Sequence, residues 1–385
     1  MASPHVEVID SLNTVDRLAW DRLANPEAAG FDPFLSWDWL QALEASQCVT
    51  PQTGWAAQHL LARDEKGDLI GAMPLYLKGH SFGEYVFDHA WADALHRAGG
   101  EYYPKLLGAV PFTPVTGRRI LAASPLIRAG LLRGALAYVK ERQLSSLHLN
   151  FLTPQEADAA QAEGFLGRVG VQFHWHNRGY SSFGDFLSTL SSQKRKSIRR
   201  ERARAIEGLE ITQIAGGDVD EADWDAFFAC YQDTGARKWG SPYLNRAFFT
   251  LIGERMSDCI VMFQAKREGR IIAAALNFLG GDRLLGRYWG RLEDHPFLHF
   301  ELCYYQAIDL AIARGLAHVE AGAQGEHKLA RGYEPMATAS AHWIAHRGLR
   351  DAVAAYLRQE TPAMVDEIEI LAQHTPFRRL AGDDP

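Results

Sequence analysis

Apolar positions along the 385-residue chain alternate between two spacings, and the order of alternation is the first clue to its fold. Over Pro125–Arg142 they fall at Leu126, Ile127, Leu131, Leu132, Leu136 and Val139, which predicts a helix with one buried face. Trp55–Arg63 and Leu69–Tyr76 are apolar runs of strand length, joined by the turn Glu65-Lys66-Gly67-Asp68, and predict a hairpin. Helices over Asp16–Asn25 and Ser36–Ser46 precede it. A loop rich in aromatic and polar residues runs from His80 to Lys105, followed by the apolar Leu106–Val110 and the interruption PFTPVTGRR. After the helix come a strand, Leu147–Phe151, and a helix, Pro154–Glu163.

The second half repeats this order. Gln172–His176 reads as a strand, Phe183–Ser191 starts a helix and Glu210–Ile214 is a strand. Ala222–Thr234 and Leu244–Met256 are helices, and Ile260–Lys266 with Arg270–Leu279 form a hairpin turned at Arg267-Glu268-Gly269. Leu284–Arg291 is a strand, His299–Arg314 a helix, Leu316–Glu320 a strand, Ala339–Ala345 a late strand and Gly348–Gln373 a closing helix. The repetition predicts tandem α/β domains with mixed, mainly antiparallel sheets flanked by helices, over residues 1–168 and 169–385.

Composition fits two ordinary folded domains, with 47% apolar and 23% charged residues. A net charge of −7 argues against general nucleic-acid affinity but leaves room for a local basic patch. Cys48, Cys230, Cys259 and Cys303 show no metal-ligand spacing, so reduced thiols in a cytoplasmic protein are expected, with no metal. The start, MASPHVEVIDSL, lacks the pattern of a secretion signal, and no apolar run is long enough to span a membrane.

The densest chemistry lies in Glu320–Pro335, EAGAQGEHKLARGYEP. A predicted strand runs there into a loop of glycines, acids and bases, a common way to build a site. Glu326 and His327 are candidate bases, with Glu320 at the strand end next, while Lys328 and Arg331 could hold an anion or face an oxyanion. A second constellation joins Asp88, His89 and Trp91 to Tyr102, Tyr103 and Lys105, suited to an amine or sugar-peptide acceptor. Arg287 and Trp289 should share one strand face, opposite Tyr288. His299 and Glu301 begin a helix, and His174-Trp175-His176 reads as structural. Arg118 and Arg119, after Gly117, are candidate phosphate contacts. Lys194–Arg204 carries seven basic residues in eleven, and Arg195, Arg199 and Arg202 would share a helix face that could meet phosphates.

The stretch LSSQKRKSIRRERARAIEGLEI resembles the basic helical segment of Fem-type aminoacyl transferases, which are built from two acetyltransferase-like (GNAT) domains. DHAWADAL, YYPKLLGAVPFTPVTGRRIL, GRYWG, HFELCYYQAI and EAGAQGEHKLARGYEP resemble recurring segments of bacterial Fem-like N-acyltransferases over nearly the whole chain. The resemblance puts His327-Lys328 and Gly332 where Fem-type enzymes carry a Phe-Lys pair and a glycine. It implies transfer of an acyl or aminoacyl group to an amine acceptor, small or peptide-like, in a cleft between domains. Acyl-CoA or aminoacyl-tRNA would be co-substrate, with no tightly bound cofactor, and Lys194, Arg195, Arg199 and Arg202 would meet tRNA. It also implies a role in peptidoglycan biosynthesis. The loop Leu292–Phe297 has two acids and no glycine, so it is a poor pyrophosphate cradle and fits a donor held in another way. The rival expectation is a non-catalytic binding module on the same scaffold.

Overall fold

A computed structural model describes residues 5–238, 242–322 and 325–378. The chain divides into two units, one of Met1–Val171 with Ala337–Asp366 and one of Gln172–Met336 with Glu367–Pro385.

In the first unit, β1 (His5–Ile9), β3 (His59–Arg63), β4 (Leu69–Met73) and β7 (Leu121–Ala122) form an antiparallel sheet in the order β1-β3-β4-β7. A second sheet runs from β2 (Trp55–Ala57) through β5 (Leu75–Lys78) and β6 (Lys105–Gly108) to β8 (Ser146–Leu152), with β6 and β8 parallel. The predicted hairpin is thus divided between two sheets: the halves next to its turn pair as β3 and β4, while the outer β2 and β5 pair in the other sheet. The helix Pro125–Glu141 starts with Pro125 at its first position and the Ser124 side chain accepting from the Ile127 amide. Its buried face, Leu131, Leu132, Ala135, Leu136 and Val139, packs with Leu60, Met73, Leu147 and Leu149. The region from His80 to Lys105, expected as loop, contains a helix, His89–Arg97. Its buried Trp91 and Leu95 are four apart.

The second unit contains the last part of β9 (Leu166–His176), then β10 (Glu210–Ala215), β11 (Ile260–Arg267), β12 (Arg270–Leu279), β13 (Arg283–Arg291) and β14 (His318–Glu320). Their order is β10-β11-β12-β13-β14-β9, antiparallel except for β13 beside β14. The β11–β12 hairpin closes with Glu268 at φ 51° and Gly269 at φ 76°, the left-handed pair that matches strand twist. The helix Glu221–Lys238 lies so close to β13 that a Cβ on Gly290 would sit 2.1 Å from the Cys230 backbone carbonyl. Gly290→Ala is expected to cost about 1–3 kcal/mol of stability through overpacking, read as a lower denaturant midpoint. Elsewhere in this unit, Leu302, Tyr305 and Ile308 pack with Phe173, Trp175, Phe263 and Ala273. The helix that carries them is interrupted: Glu301–Tyr305 widens to a π-turn between the α-helical Leu298–Phe300 and Gln306–Arg314.

The chain then returns to the first unit along β15 (Glu334–Ile344), whose later residues pair antiparallel with β8. Leu349, Val353 and Leu357 of the helix Arg347–Gln373 close a cluster with Trp91, Leu95 and Tyr102. The late strand and much of the last helix therefore belong with residues 1–171, whereas a division at 168/169 assigns them to the second domain. The contacts responsible join residues more than 180 positions apart and leave no trace in local periodicity. Among the described residues, no helix is long and apolar enough to cross a membrane.

Candidate functional site

Strands β13 and β14 run side by side for three residue pairs, ending at Leu285 opposite Glu320. β14 stops there and β13 continues to Arg291. Against β12, Leu276 faces Tyr288 and Asn277 faces Gly286, so Arg287 is a bulged residue. A cleft of about 100 Å³ opens at this divergence, lined by Asn277, Gly286–Trp289, His299, Cys303, Tyr304, Ala321 and Gly322. The bulge interrupts the alternation expected of the strand, and Arg287, Tyr288 and Trp289 all contribute to the lining. The π-turn carries Cys303 and Tyr304 to the same cleft as His299, and widened turns recur at functional sites. The Trp289 and His299 rings meet edge to face at 5.2 Å.

Beyond β14, the chain enters a tight 3₁₀ turn, Glu326–Arg331, bounded by Gly325 and Gly332, both at positive φ. Ala323 and Gln324 of this loop lie outside the described residues. The turn directs Lys328 inward: it is 1% exposed, and its Nζ donates to the Gly322 carbonyl at 2.7 Å, on the cleft wall. Burial, and then the nearby Arg287 charge, lower its pKa to about 7. Shifts of this size cluster at functional sites, though structural pairs also produce them.

The neighbours of Lys328 have different roles. His327 is exposed, and its Nε2 lies 2.9 Å from the Tyr304 hydroxyl. Burial raises the pKa of that phenol, so Tyr304 remains protonated and links the cleft to His327 by a hydrogen bond. Glu326 is exposed. Arg331 donates to the His327 carbonyl at 2.7 Å and to Glu201 at 2.9 Å, and its guanidinium lies 3.4 Å above the Phe300 ring. It braces the turn. Glu320 pairs with Arg283 at 2.9 Å and lies 3.9 Å from His174. Glu301 is buried and accepts from Arg202 at 2.8 and 3.1 Å, fixing the start of the π-turn. Cys303, Tyr304 and Asn277 carry no signal in the sequence: HFELCYYQAI reads as ordinary helix, and nothing local announces the widened turn.

The basic helix spans Ser192–Ala205, but its arginines do not share one outward stripe. Arg202 turns toward Glu301 and Asp309, and Arg195 donates to the Leu190 carbonyl. Lys196, Arg199, Arg200 and Arg204 are exposed, and Lys194 is half-buried. In the loop after β13, Glu293 pairs with Arg267 and Arg270, and Asp294 with Arg291. The phosphate contacts expected of Arg118 and Arg119 do not match their placement. Arg118 donates to the carbonyls of Leu23 and Ala24, at the end of the helix Arg17–Ala24. Arg119 is fully buried and donates to the carbonyls of Asn150 and Val115.

In the first unit, Lys105 gathers the second constellation. Its Nζ donates to Ser81 at 2.7 Å, Glu84 at 2.8 Å and Asp88 at 2.5 Å. Tyr102 donates to Asp88 at 2.7 Å and lies 3.0 Å from His148 Nε2, and His148 is 2.8 Å from His342. Burial opposes the charge on Asp88, but the Lys105 ammonium holds its carboxyl well below the usual range. Burial raises the Glu84 pKa to about 7 and lowers that of His148 to about 3. Tyr103 hydrogen-bonds Ser81, Trp91 packs edge to face on His342, and His89 is exposed. Asp88, Tyr102 and Lys105 therefore form a buried anchor. Of its other members, Glu84 lies in the same loop as Asp88, while His148 and His342 come from distant strands that no spacing connects.

Comparison with known proteins agrees with this architecture. FemX is 12% identical over 88% of this chain and 98% of its own, with a TM-score of 0.54. The C-terminal domain of a putative lysylphosphatidylglycerol synthetase from Agrobacterium fabrum is 9% identical over 91% of this chain and 97% of its own, with a TM-score of 0.52. A conserved protein of unknown function from Bacteroides thetaiotaomicron is 11% identical over 89% of this chain and all of its own (100%), with a TM-score of 0.50. At these identities the likeness shows fold alone, a mixed α/β arrangement over nearly the whole chain. None of the curated proteins matches the chain. With residues 11–379 matched by its model, the chain belongs to the FemAB-like family, described as peptidoglycan biosynthesis/recognition.

Proposed function

We propose that the chain is an N-acyltransferase, moving an acyl or aminoacyl group from an activated donor to an amine acceptor at the β13–β14 cleft. The observation that carries this reading is Lys328, a buried amine lowered to a pKa of about 7 and bonded to the cleft wall. Attack of an amine on an ester or thioester places negative charge on the carbonyl oxygen. A cation fixed in a water-poor site stabilises that charge more than it stabilises the ground state. Protonated Lys328 supplies the cation, and the diverging strands supply room for the reacting group. The attacking amine must also lose a proton, and Tyr304 with His327 offers a path of hydrogen bonds from cleft to solvent. Lys328, His327 and Tyr304 are thus the residues proposed to act on the reaction. Arg331, Glu301 and Glu320 are proposed to position the surrounding segments.

An aminoacyl-tRNA donor is supported by the exposed basic residues of the Ser192–Ala205 helix. An acyl-CoA donor is less well served, because the loop after β13 offers arginine-paired acids where a pyrophosphate would need amides. The family description supports a peptidoglycan precursor as acceptor, and a cytoplasmic site of action is part of the proposal. Transfer of a radiolabelled aminoacyl group to a precursor peptide amine, followed by mass spectrometry of the product, tests the reading. Binding of donor and acceptor without any product would instead support a non-catalytic module. Within the transferase reading, Tyr304→Phe breaks the link to His327. It is expected to lower kcat about 10-fold or more with little change in KM, as loss of assisted proton transfer does.

A further inference from the structure

We infer that Cys303 is an acyl-accepting thiol: the group in transfer passes from its donor to the Cys303 sulfur, and from that thioester to the amine. The inference deepens the transferase reading and rests on it. Position singles this thiol out. Cys48, Cys230 and Cys259 are buried, whereas Cys303 is half-buried and lines the cleft with Arg287, His299 and Tyr304. Cys259 Sγ donates to the Met256 carbonyl at 3.2 Å, and burial pushes the Cys230 thiol up to about 12. Cys303 is also held in place. It sits within the π-turn Glu301–Tyr305, whose Leu302 and Tyr305 are locked in the apolar core and whose Glu301 is clamped by Arg202. A nucleophile on so braced a turn needs little further ordering to react.

Three buried groups feel a charge at this sulfur: Lys328, Tyr304 and Tyr333. Lys328 reaches the cleft wall through its bond to the Gly322 carbonyl. Burial lowers its pKa, the Arg287 charge lowers it further, and a charge on Cys303 works in the opposite direction. Ammonium and thiolate therefore stabilise each other, and thiolate is the nucleophilic form. Tyr333 packs on Tyr304 with ring centroids 5.5 Å apart. It is fully buried, yet its hydroxyl finds no hydrogen-bond partner among the described residues. Burial, then the charges of Tyr304 and Cys303, raise that phenol well above its ordinary value, so it stays a donor. A buried donor without an acceptor, near the thiol, lacks what the oxygen of a bound acyl group supplies.

The two steps balance with donor and amine alone. In the first, the Cys303 thiolate attacks the carbonyl carbon of an ester or thioester while the Lys328 ammonium faces the oxyanion. The bond from that carbon to Cys303 sulfur forms, and its bond to the donor's oxygen or sulfur breaks. The leaving atom takes a proton from the Tyr304–His327 path. In the second, a neutral amine attacks the Cys303 thioester. The C–N bond forms, the C–S bond breaks, and the electron pair returns to sulfur as thiolate. The amine's proton goes back to the same path, which ends the cycle as it began, and Lys328 keeps its charge throughout. Splitting one displacement into two lets donor and acceptor use one small cleft in turn.

p-Nitrophenyl acetate, an activated ester that needs neither tRNA nor coenzyme, tests this on the full chain with no amine present. The wild type should release a burst of about one p-nitrophenol per chain. Peptide mass spectrometry after acid quench should then find one acetyl group on Cys303, removable by neutral hydroxylamine. Cys303→Ala, and Cys303→Ser as the variant closer in size, should give no adduct at that position while keeping the wild-type circular dichroism. Lys328→Met should slow the burst about tenfold or more, since the thiolate loses its cation. With an aminoacyl donor and a peptide amine, Cys303→Ala should lower the transfer rate about 10²-fold or more. No acetyl group on Cys303, or an adduct that forms as fast in Lys328→Met, would overturn the inference. Transfer at the wild-type rate in Cys303→Ala would overturn it as well, and would leave the transferase reading intact. An acetylated Cys303 in a chain that passes nothing to an amine would count against that reading and not against the thiol.

Discussion

Lys328→Met should slow acyl transfer by about 10²–10³-fold, the usual effect of removing one preorganised oxyanion contact, while making the protein more stable. Methionine fills similar space but offers no charge to the carbonyl oxygen. The stability gain follows from the sign of the pKa change. Lys328 is lowered from 10.5 to about 7 in the folded chain, so between those values the unfolded chain binds more protons than the folded one. Wild-type stability therefore rises as pH increases from about 7 to about 10.5, and below that window the buried charge opposes folding. The variant has no such group. Its Tm should exceed that of the wild type at pH 6–7, with the difference narrowing toward pH 10. Loss of activity together with loss of stability would instead assign Lys328 a structural role.

The second large effect is expected at Lys105. Lys105→Met leaves the Glu84 and Asp88 carboxyls buried without their common partner. Breaking a buried pair from one side costs about 3–5 kcal/mol, which denaturant unfolding monitored by Trp fluorescence would detect. The pH dependence is specific. In the wild type Asp88 is depressed, so its contribution is present above pH 3.8 and is lost as pH falls below that value. In the variant both carboxyls can escape their burden by protonation, so the gap between the proteins should close on acidification from pH 8 to pH 5. A gap independent of pH would mean that packing, not charge, holds the loop.

Much of the fold could be read from local pattern. The helix Pro125–Glu141 and the β11–β12 hairpin appear within a residue or two of their expected limits, because one buried face and a Glu-Gly turn suffice to specify them. The helix His89–Arg97 was hidden because only Trp91 and Leu95 are buried on it, too short a pattern to stand out among polar neighbours. The division of the first hairpin between two sheets, and the return of β15 to the first unit, are decided by pairing partners distant in sequence.

The site was legible in part. Glu320–Pro335 drew attention by density of ionisable groups, and the geometry brings one of them, Lys328, to the cleft wall. Density alone could not separate roles within the cluster. Arg331 is taken up by Glu201 and Phe300, and Glu320 by Arg283, through partners on other elements. Tyr304 gained its position from a π-turn, and Arg287 from a bulge, both of which depend on packing rather than on residue type. The constellation around Lys105 was located from its sequence, but half its members are supplied by residues such as His148 and His342 that share no local motif.

The central claim is that protonated Lys328 stabilises the transition state of acyl transfer in the second-unit cleft. The most direct test is the single-turnover transfer rate of the wild type divided by that of Lys328→Met, measured from pH 5.5 to pH 9.5. The claim predicts a large ratio at low pH that declines as pH rises through about 7, where the amine loses its charge. A ratio near one at every pH would contradict it.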